Sequence, residues 1–322
     1  MHVESYQSPE SVTDLYRSFQ RLTVLEGTFN DTRCFQHLAI LPLLESLNCT
    51  INSHELGQVD FTDQADCFPS LVRLAVGTGD LTALSIFFQH ISSRNLQAVL
   101  IVEDRVVSVW YFKMLFDALA MSNFHTNLQE LLVLRRPEFD TSSAFSEISS
   151  EALASLFPLS QLMILEITVD ISVALDDGDL QNIAMAWPNL HTLCLVNQTV
   201  PPMPPRVTLK GLLRFTSRLP MKRIELSVDC AKLLNYAETG SIIPCPTLRH
   251  LNLCCSPILE HVDYIIAPLT LGFPSLSHFA SAWARPSVGL LLSAVTRGQR
   301  DCWPRAVQRG LEPILAENKS CD

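Results

Sequence analysis

Ten times between Leu22 and Leu276 the chain places an apolar residue followed, in most copies, by apolar residues three and five positions later. The clearest copies open on an aromatic-Pro or Pro-Thr lead. They are Phe68-Pro69-Ser70-Leu71 with Leu74 and Val76, Trp187-Pro188-Asn189-Leu190 with Leu193 and Leu195, and Pro246-Thr247-Leu248 with Leu251 and Leu253. Others begin at Leu44, Leu96, Leu128, Leu162, Met221 and Leu276, with a degenerate first copy at Leu22. The spacing is irregular and averages about 28 residues, a period at which each repeat is one supersecondary unit that cannot bury its apolar face alone. Such a chain has to fold by stacking its units on one another.

Each unit reads as a short strand whose side chains alternate between core and solvent, followed by a segment that returns the chain to the next strand. The return segments carry helical periodicity. Asp80 to His90 sets Leu81, Leu84, Phe87 and Phe88 on one face, and Val106 to Ala120 groups apolar residues around Trp110, Met114 and Ala118. Thr208 to Leu219 repeats the arrangement with Leu209, Leu212, Leu213 and Phe215. Strand, right-handed crossover and parallel strand then stack in series. Eight residues after each start stand Asn30, Asn52, Gly79, Asp104, Arg136, Asp170, Gln198, Asp229, Ser256 and Ala284. Most of these are hydrogen-bonding residues, suited to backbone groups left unpaired where the strand ends.

This is the layout of an α/β leucine-rich-repeat solenoid: a horseshoe of about ten irregular repeats, with parallel strands on the concave face and helices on the convex face. The expected organisation is a polar leader over 1–17, the solenoid over 18–285, a helical cap over 286–317 and a tail over 318–322. Pro286 to Arg297 and Arg305 to Ala316 supply the amphipathic cap, with Trp303 packed in it.

Two segments carry a closer likeness: Asp176-Asp177-Gly178-Asp179-Leu180 running on to Ala186-Trp187-Pro188-Asn189-Leu190, and Val207-Thr208-Leu209-Lys210-Gly211-Leu212. With the strands around them they make the chain resemble the leucine-rich-repeat portion of fungal F-box proteins of the basidiomycete type. The resemblance implies the substrate-recruiting arm of a cullin-based ubiquitin ligase, in which an F-box holds the adaptor and the repeats hold the target. The early Leu41-Pro42 leads straight into the second strand. An F-box is therefore expected only upstream, if at all, and with it the adaptor as partner; the alternative is a freestanding repeat scaffold with no ubiquitin role.

Other classes fit poorly. A net charge of −10 argues against nucleic acid as the main ligand, since phosphate binding rests on clustered Lys and Arg. No apolar stretch is long enough to span a bilayer, and Met1 to Glu10 is too polar for a signal peptide, so cytosol or nucleus is expected. The ten cysteines show no Cys-x-x-Cys pair and are expected reduced, most of them buried. The sequons at Asn30, Asn48, Asn197 and Asn318 read as chance matches. No GxSxG, GxxxxGK[ST] or HExxH occurs, so no catalytic residue, cofactor or metal is assigned and the chain is not expected to be an enzyme.

If the residues at the start, three on and five on point inward, those two, four and six on face the concave surface. Partner-binding candidates are then Ala98, Leu100, Val102, Glu130, Leu132, Leu134, Ile164 and Glu166, with Thr168 beside them, an apolar middle. Further along come the polar Arg223, Glu225, His250, Asn252 and His278. Two readings of the apolar group stay open: a grip on a protein target, or a surface covered by the insertion around 137–150. The polar group reads either as specificity contacts or as an ordinary solvated face. Asp176 to Asp179 is expected to cap the following helix, Asp60, Asp63 and Asp66 to form a solvated loop, and Pro201 to Arg206, a PxxPxR match, to act as a rigid connector.

Overall fold

The structure, a computed structural model, describes residues 21–29, 32–51, 67–79, 81–103, 109–135, 147–169, 172–197, 204–230, 242–254, 256 and 263–281. It divides into two compact units, Met1–Val173 with Ala186–Pro188, and Ala174–Met185 with Asn189–Asp322.

In the first unit, strands β1 (Val24–Phe29), β2 (Ser46–Ile51), β3 (Arg73–Thr78), β4 (Ala98–Glu103) and β5 (Glu130–Arg135) lie side by side in parallel. After the short β6 (Glu147–Ser149), strand β7 (Ile164–Val169) continues the ladder beside β5. The returns hold helices α1 (Thr32–Ala39), α2 (Leu81–His90), α3 (Val109–Met121) and the single turn α4 (Ser150–Ala154), whose N-cap Ser149 accepts from Ala152 N–H at 3.2 Å. Strand β8 (Ser172–Ala174), at the unit boundary, pairs with β6. In the second unit, helix α5 (Asp177–Ala186) is followed by strand β9 (Thr192–Asn197), helix α6 (Leu209–Thr216), strands β10 (Arg223–Glu225) and β11 (His250–Asn252), helix α7 (Asp263–Gly272) and strand β12 (His278–Ala280). Strands β9 to β12 are again parallel neighbours.

The register follows the repeat. Leu25, Leu47, Leu74, Val99, Leu131 and Leu165 form one row across the first unit, and Leu193, Ile224, Leu251 and Phe279 form the corresponding row of the second. Apart from Phe279 on the last strand, which is partly exposed, every one of them is buried. Full burial of such a side chain stabilises by roughly 1.5–3 kcal/mol, so the rows are a main source of cohesion between coils.

A second periodic device is in the backbone. In successive coils the carbonyl one residue after the repeat start accepts two N–H groups of the next coil. Glu45 O takes Val72 and Arg73, Val72 O takes Gln97 and Ala98, and Gln97 O takes Gln129 and Glu130. In the second unit His191 O takes Lys222 and Arg223, and Lys222 O takes Arg249 and His250. These bonds lock the register before the ladder proper begins.

The aromatic leads plug the turns ahead of the strands. Phe68 packs edge-on against Phe87 at 5.6 Å, and Phe88 against Phe124 at 6.0 Å. Buried Trp187 meets Phe157 at 5.5 Å and donates its indole N–H to Leu156 O. Of the residues eight after a start, Gly79, Asp229 and Ser256 are described. Ser256 acts as expected: fully buried, its Oγ accepts from Val228 N–H at 2.7 Å and donates to Leu253 O.

One helix face differs from expectation. α3 buries Phe112, Leu115, Phe116, Ala118 and Leu119, leaving Trp110 64% exposed. The spacing i, i+3, i+4, i+7 from Phe112 makes a wider apolar stripe than the one running through Trp110 and Met114, and the helix turns that stripe inward. The leader, the cap with Trp303, the tail, the carboxylates Asp60, Asp63 and Asp66, and residues 137–146 of the insertion lie outside the described residues, as do the first three residues of the proline motif.

Candidate functional site

In the first unit the candidates fall on one face of three neighbouring strands. Ala98, Glu130 and Ile164 share a row, Leu100, Leu132 and Glu166 the next, and Val102, Leu134 and Thr168 the third. The alternation places Val99, Ile101, Leu131, Val133, Leu165 and Ile167 in the core, and the intervening residues stay half-buried, except the exposed Glu130. This follows from the two-residue period of a strand with one face sealed. On β3 the same rows continue as Arg73, Ala75 and Gly77, residues the map passed over. Ala75 and Gly77 are small, so they do little to cover the flanks of Leu100 and Val102. A buried carboxylate also went unread: Glu103, 2% exposed, stands in register between Thr78 and Arg135.

In the second unit Arg223, His250 and His278 share one row, and Glu225, Asn252 and Ala280 the next but one. Three of the polar candidates, Arg223, His250 and Asn252, are brought together around the carboxylate of a fourth, Glu225, and His278 lies beside His250. Glu225 is 8% exposed. Its Oε1 accepts from Arg223 Nε at 2.8 Å, with Arg223 Nη2 at 2.6 Å and His250 Nε2 at 3.4 Å. Its Oε2 accepts from Asn252 Nδ2 at 3.2 Å. Asn252 Oδ1 in turn accepts from Cys254 N–H, where the chain turns through a left-handed φ of 46°. Both oxygens of Glu225 are therefore engaged within the protein. It positions its neighbours and is not itself presented to a partner.

The rings of His250 and His278 lie 5.7 Å apart. Burial holds the His250 imidazole below its ordinary pKa. The Glu225 charge opposes this, and Arg223 and His278 reinforce it. The nearby positions Thr192 and Cys194, in register with Arg223 and Glu225, are buried. Lys222 and Arg249, immediately ahead of β10 and β11, are exposed. The map missed these two because it counted only alternate positions inside the strand.

The acidic run works differently from a simple cap. Asp176 Oδ1 accepts from Gly178 N–H at 2.7 Å and Asp179 N–H at 2.9 Å, while Asp179 Oδ2 accepts from Asp176 N–H, a reciprocal box at the start of α5. Asp177 instead reaches 31 residues along the sequence. Its carboxylate accepts from the N–H and the hydroxyl of Thr208, both at 2.7 Å, and Thr208 Oγ1 accepts from Gly211 N–H to cap α6. The segments around Asp177 and Thr208 are thus one contact in space. Cys49, Cys67, Cys194, Cys230, Cys245 and Cys254 are buried thiols. Among the described residues no group of three or more His, Cys, Asp or Glu is placed to hold a metal ion.

No family model matches the chain, and no curated protein matches it. Among solved structures, the crystal structure of the Rad7 and Elc1 complex in yeast aligns over 85% of this chain and 83% of its own at 12% identity and a TM-score of 0.27. That likeness is remote.

Proposed function

We propose that this chain is a protein-interaction module that takes its target on the half-exposed face of the ladder, in the manner of the substrate-recruiting repeat arm of an F-box ubiquitin-ligase subunit, and that it performs no catalysis of its own. The observation that carries the reading is the row geometry of β4, β5 and β7, where Leu100, Val102, Leu132, Leu134 and Ile164 stay half-buried on adjacent strands. A contiguous apolar surface of this kind marks a partner site more often than an idle face. Among the described residues no helix is long and apolar enough to cross a membrane.

The test is a Leu100→Asp, Leu132→Asp double variant compared with the native chain as bait. Partners retained by the native chain should be lost by the variant at unchanged circular dichroism and melting temperature; full retention would refute the site. The ligase role has its own test, co-purification of the adaptor with protein expressed from the complete transcript. Clean absence of the adaptor leaves a freestanding repeat scaffold.

A further inference from the structure

The second unit concentrates positive charge in a chain whose net charge is −10. Arg223, His250 and His278 form one row across β10, β11 and β12. Lys222 and Arg249 flank the row at the same strand edge. There Arg249 and His250 N–H bind Lys222 O, and Ser277 and His278 N–H bind Arg249 O. Among the described residues of β9 to β12 and of the stretches 242–254 and 273–281, Glu225 is the only carboxylate. It is already committed inward, to Arg223, Asn252 and His250. Two of the side chains it holds are still open to solvent, Arg223 at 42% and His250 at 38%, and the neighbouring His278 is exposed. A buried anion bonded to a half-exposed guanidinium and imidazole presents their donors already oriented, at little further entropic cost on binding.

We propose that this row docks an acidic segment of a partner protein, its Asp or Glu carboxylates meeting Arg223, His250 and His278 beside Lys222 and Arg249. The inference rests on the reading of the chain as a protein-interaction module and names the chemistry of its partner. The solvent-open part of the guanidinium meets a carboxylate, and the imidazoles and flanking charges extend the site along the segment. A protein is favoured over nucleic acid because phosphate binding rests on many clustered Lys and Arg, and only Lys222, Arg223 and Arg249 stand here.

The experiment titrates the full chain with a fluorescein-labelled peptide of Asp, Glu and Ser, and with the same peptide carrying Lys in place of each acid. The charge-reversal variant Lys222→Glu, Arg249→Glu alters two exposed residues, so folding is checked by its melting curve. The acidic peptide should bind the native chain, weaken about 10-fold or more in the variant, and weaken as salt rises; the Lys peptide should not bind. The proposal is overturned if the acidic peptide fails to bind the native chain, if charge reversal leaves its affinity unchanged, or if a single-stranded RNA oligonucleotide binds more tightly than the peptide. None of these results bears on the apolar rows, which the Leu100 and Leu132 variant reads out separately.

Discussion

Gly211 sits in the first turn of α6, and a methyl group added to it would lie 1.9 Å from Asp177 Oδ1 and 2.2 Å from its Cγ. No side chain survives at that distance, so in Gly211→Ala the Asp177 carboxylate must leave. With it go two bonds to Thr208, one from the N–H and one from the hydroxyl. Hydrogen bonds to a charged group contribute roughly 1.5–3 kcal/mol each, and water reaches this partly exposed site to recover some of that. Alanine returns about 1 kcal/mol through helix propensity. The balance is a loss of about 2 kcal/mol, measured by urea denaturation. The control is the same substitution in an Asp177→Ala background. There the obstruction is gone and only propensity remains, so Gly211→Ala should stabilise by about 1 kcal/mol. A Gly211→Ala variant that is neutral or stabilised beside an intact Asp177 would refute the reasoning.

Two further outcomes follow from titratable groups whose pKa is shifted by partial or full burial. Because burial lowers the His250 pKa in the folded state, the unfolded chain binds the extra proton first as pH falls. The contribution of His250 is therefore whole above the unfolded value of about 6.5 and is lost as pH drops toward the folded one. Urea midpoints at pH 7.5 and 5.5 should differ less for His250→Gln than for the native chain; an identical difference would sink the claim. Burial raises the Cys49 thiol well above its usual range, and burial with the Asp229 charge pushes Cys230 up to about 12. Iodoacetamide at pH 8 should leave both unlabelled in the native protein and label both in urea, as read by mass spectrometry of the peptides; native-state labelling of either would contradict its burial.

The strands and their rows were legible in the sequence because they depend on local rules. A period of two inside each strand and a recurrence of about 28 residues suffice to mark Leu74, Leu131, Leu193 and Leu251 as core and Leu100, Leu132, Arg223 and His250 as the opposite face. The acidic start of α5 was visible for the same reason, since a cap acts within three residues. What escaped was whatever depends on which of two competing local solutions the neighbours favour. Trp110 and Phe112 both lie on plausible apolar stripes of α3, and only packing selects the second.

The sequence alone therefore determined that this chain stacks strand-and-return units and which side of each strand is sealed, because alternation and repetition are properties of adjacent residues. Tertiary structure decided that Asp177 serves the next helix and not its own, and that Glu225 turns inward to hold Arg223, His250 and Asn252. Those partners lie up to 31 residues apart and meet only because stacking sets one coil against the next. A carboxylate finds its donors by distance in space, and a linear pattern carries no record of that distance.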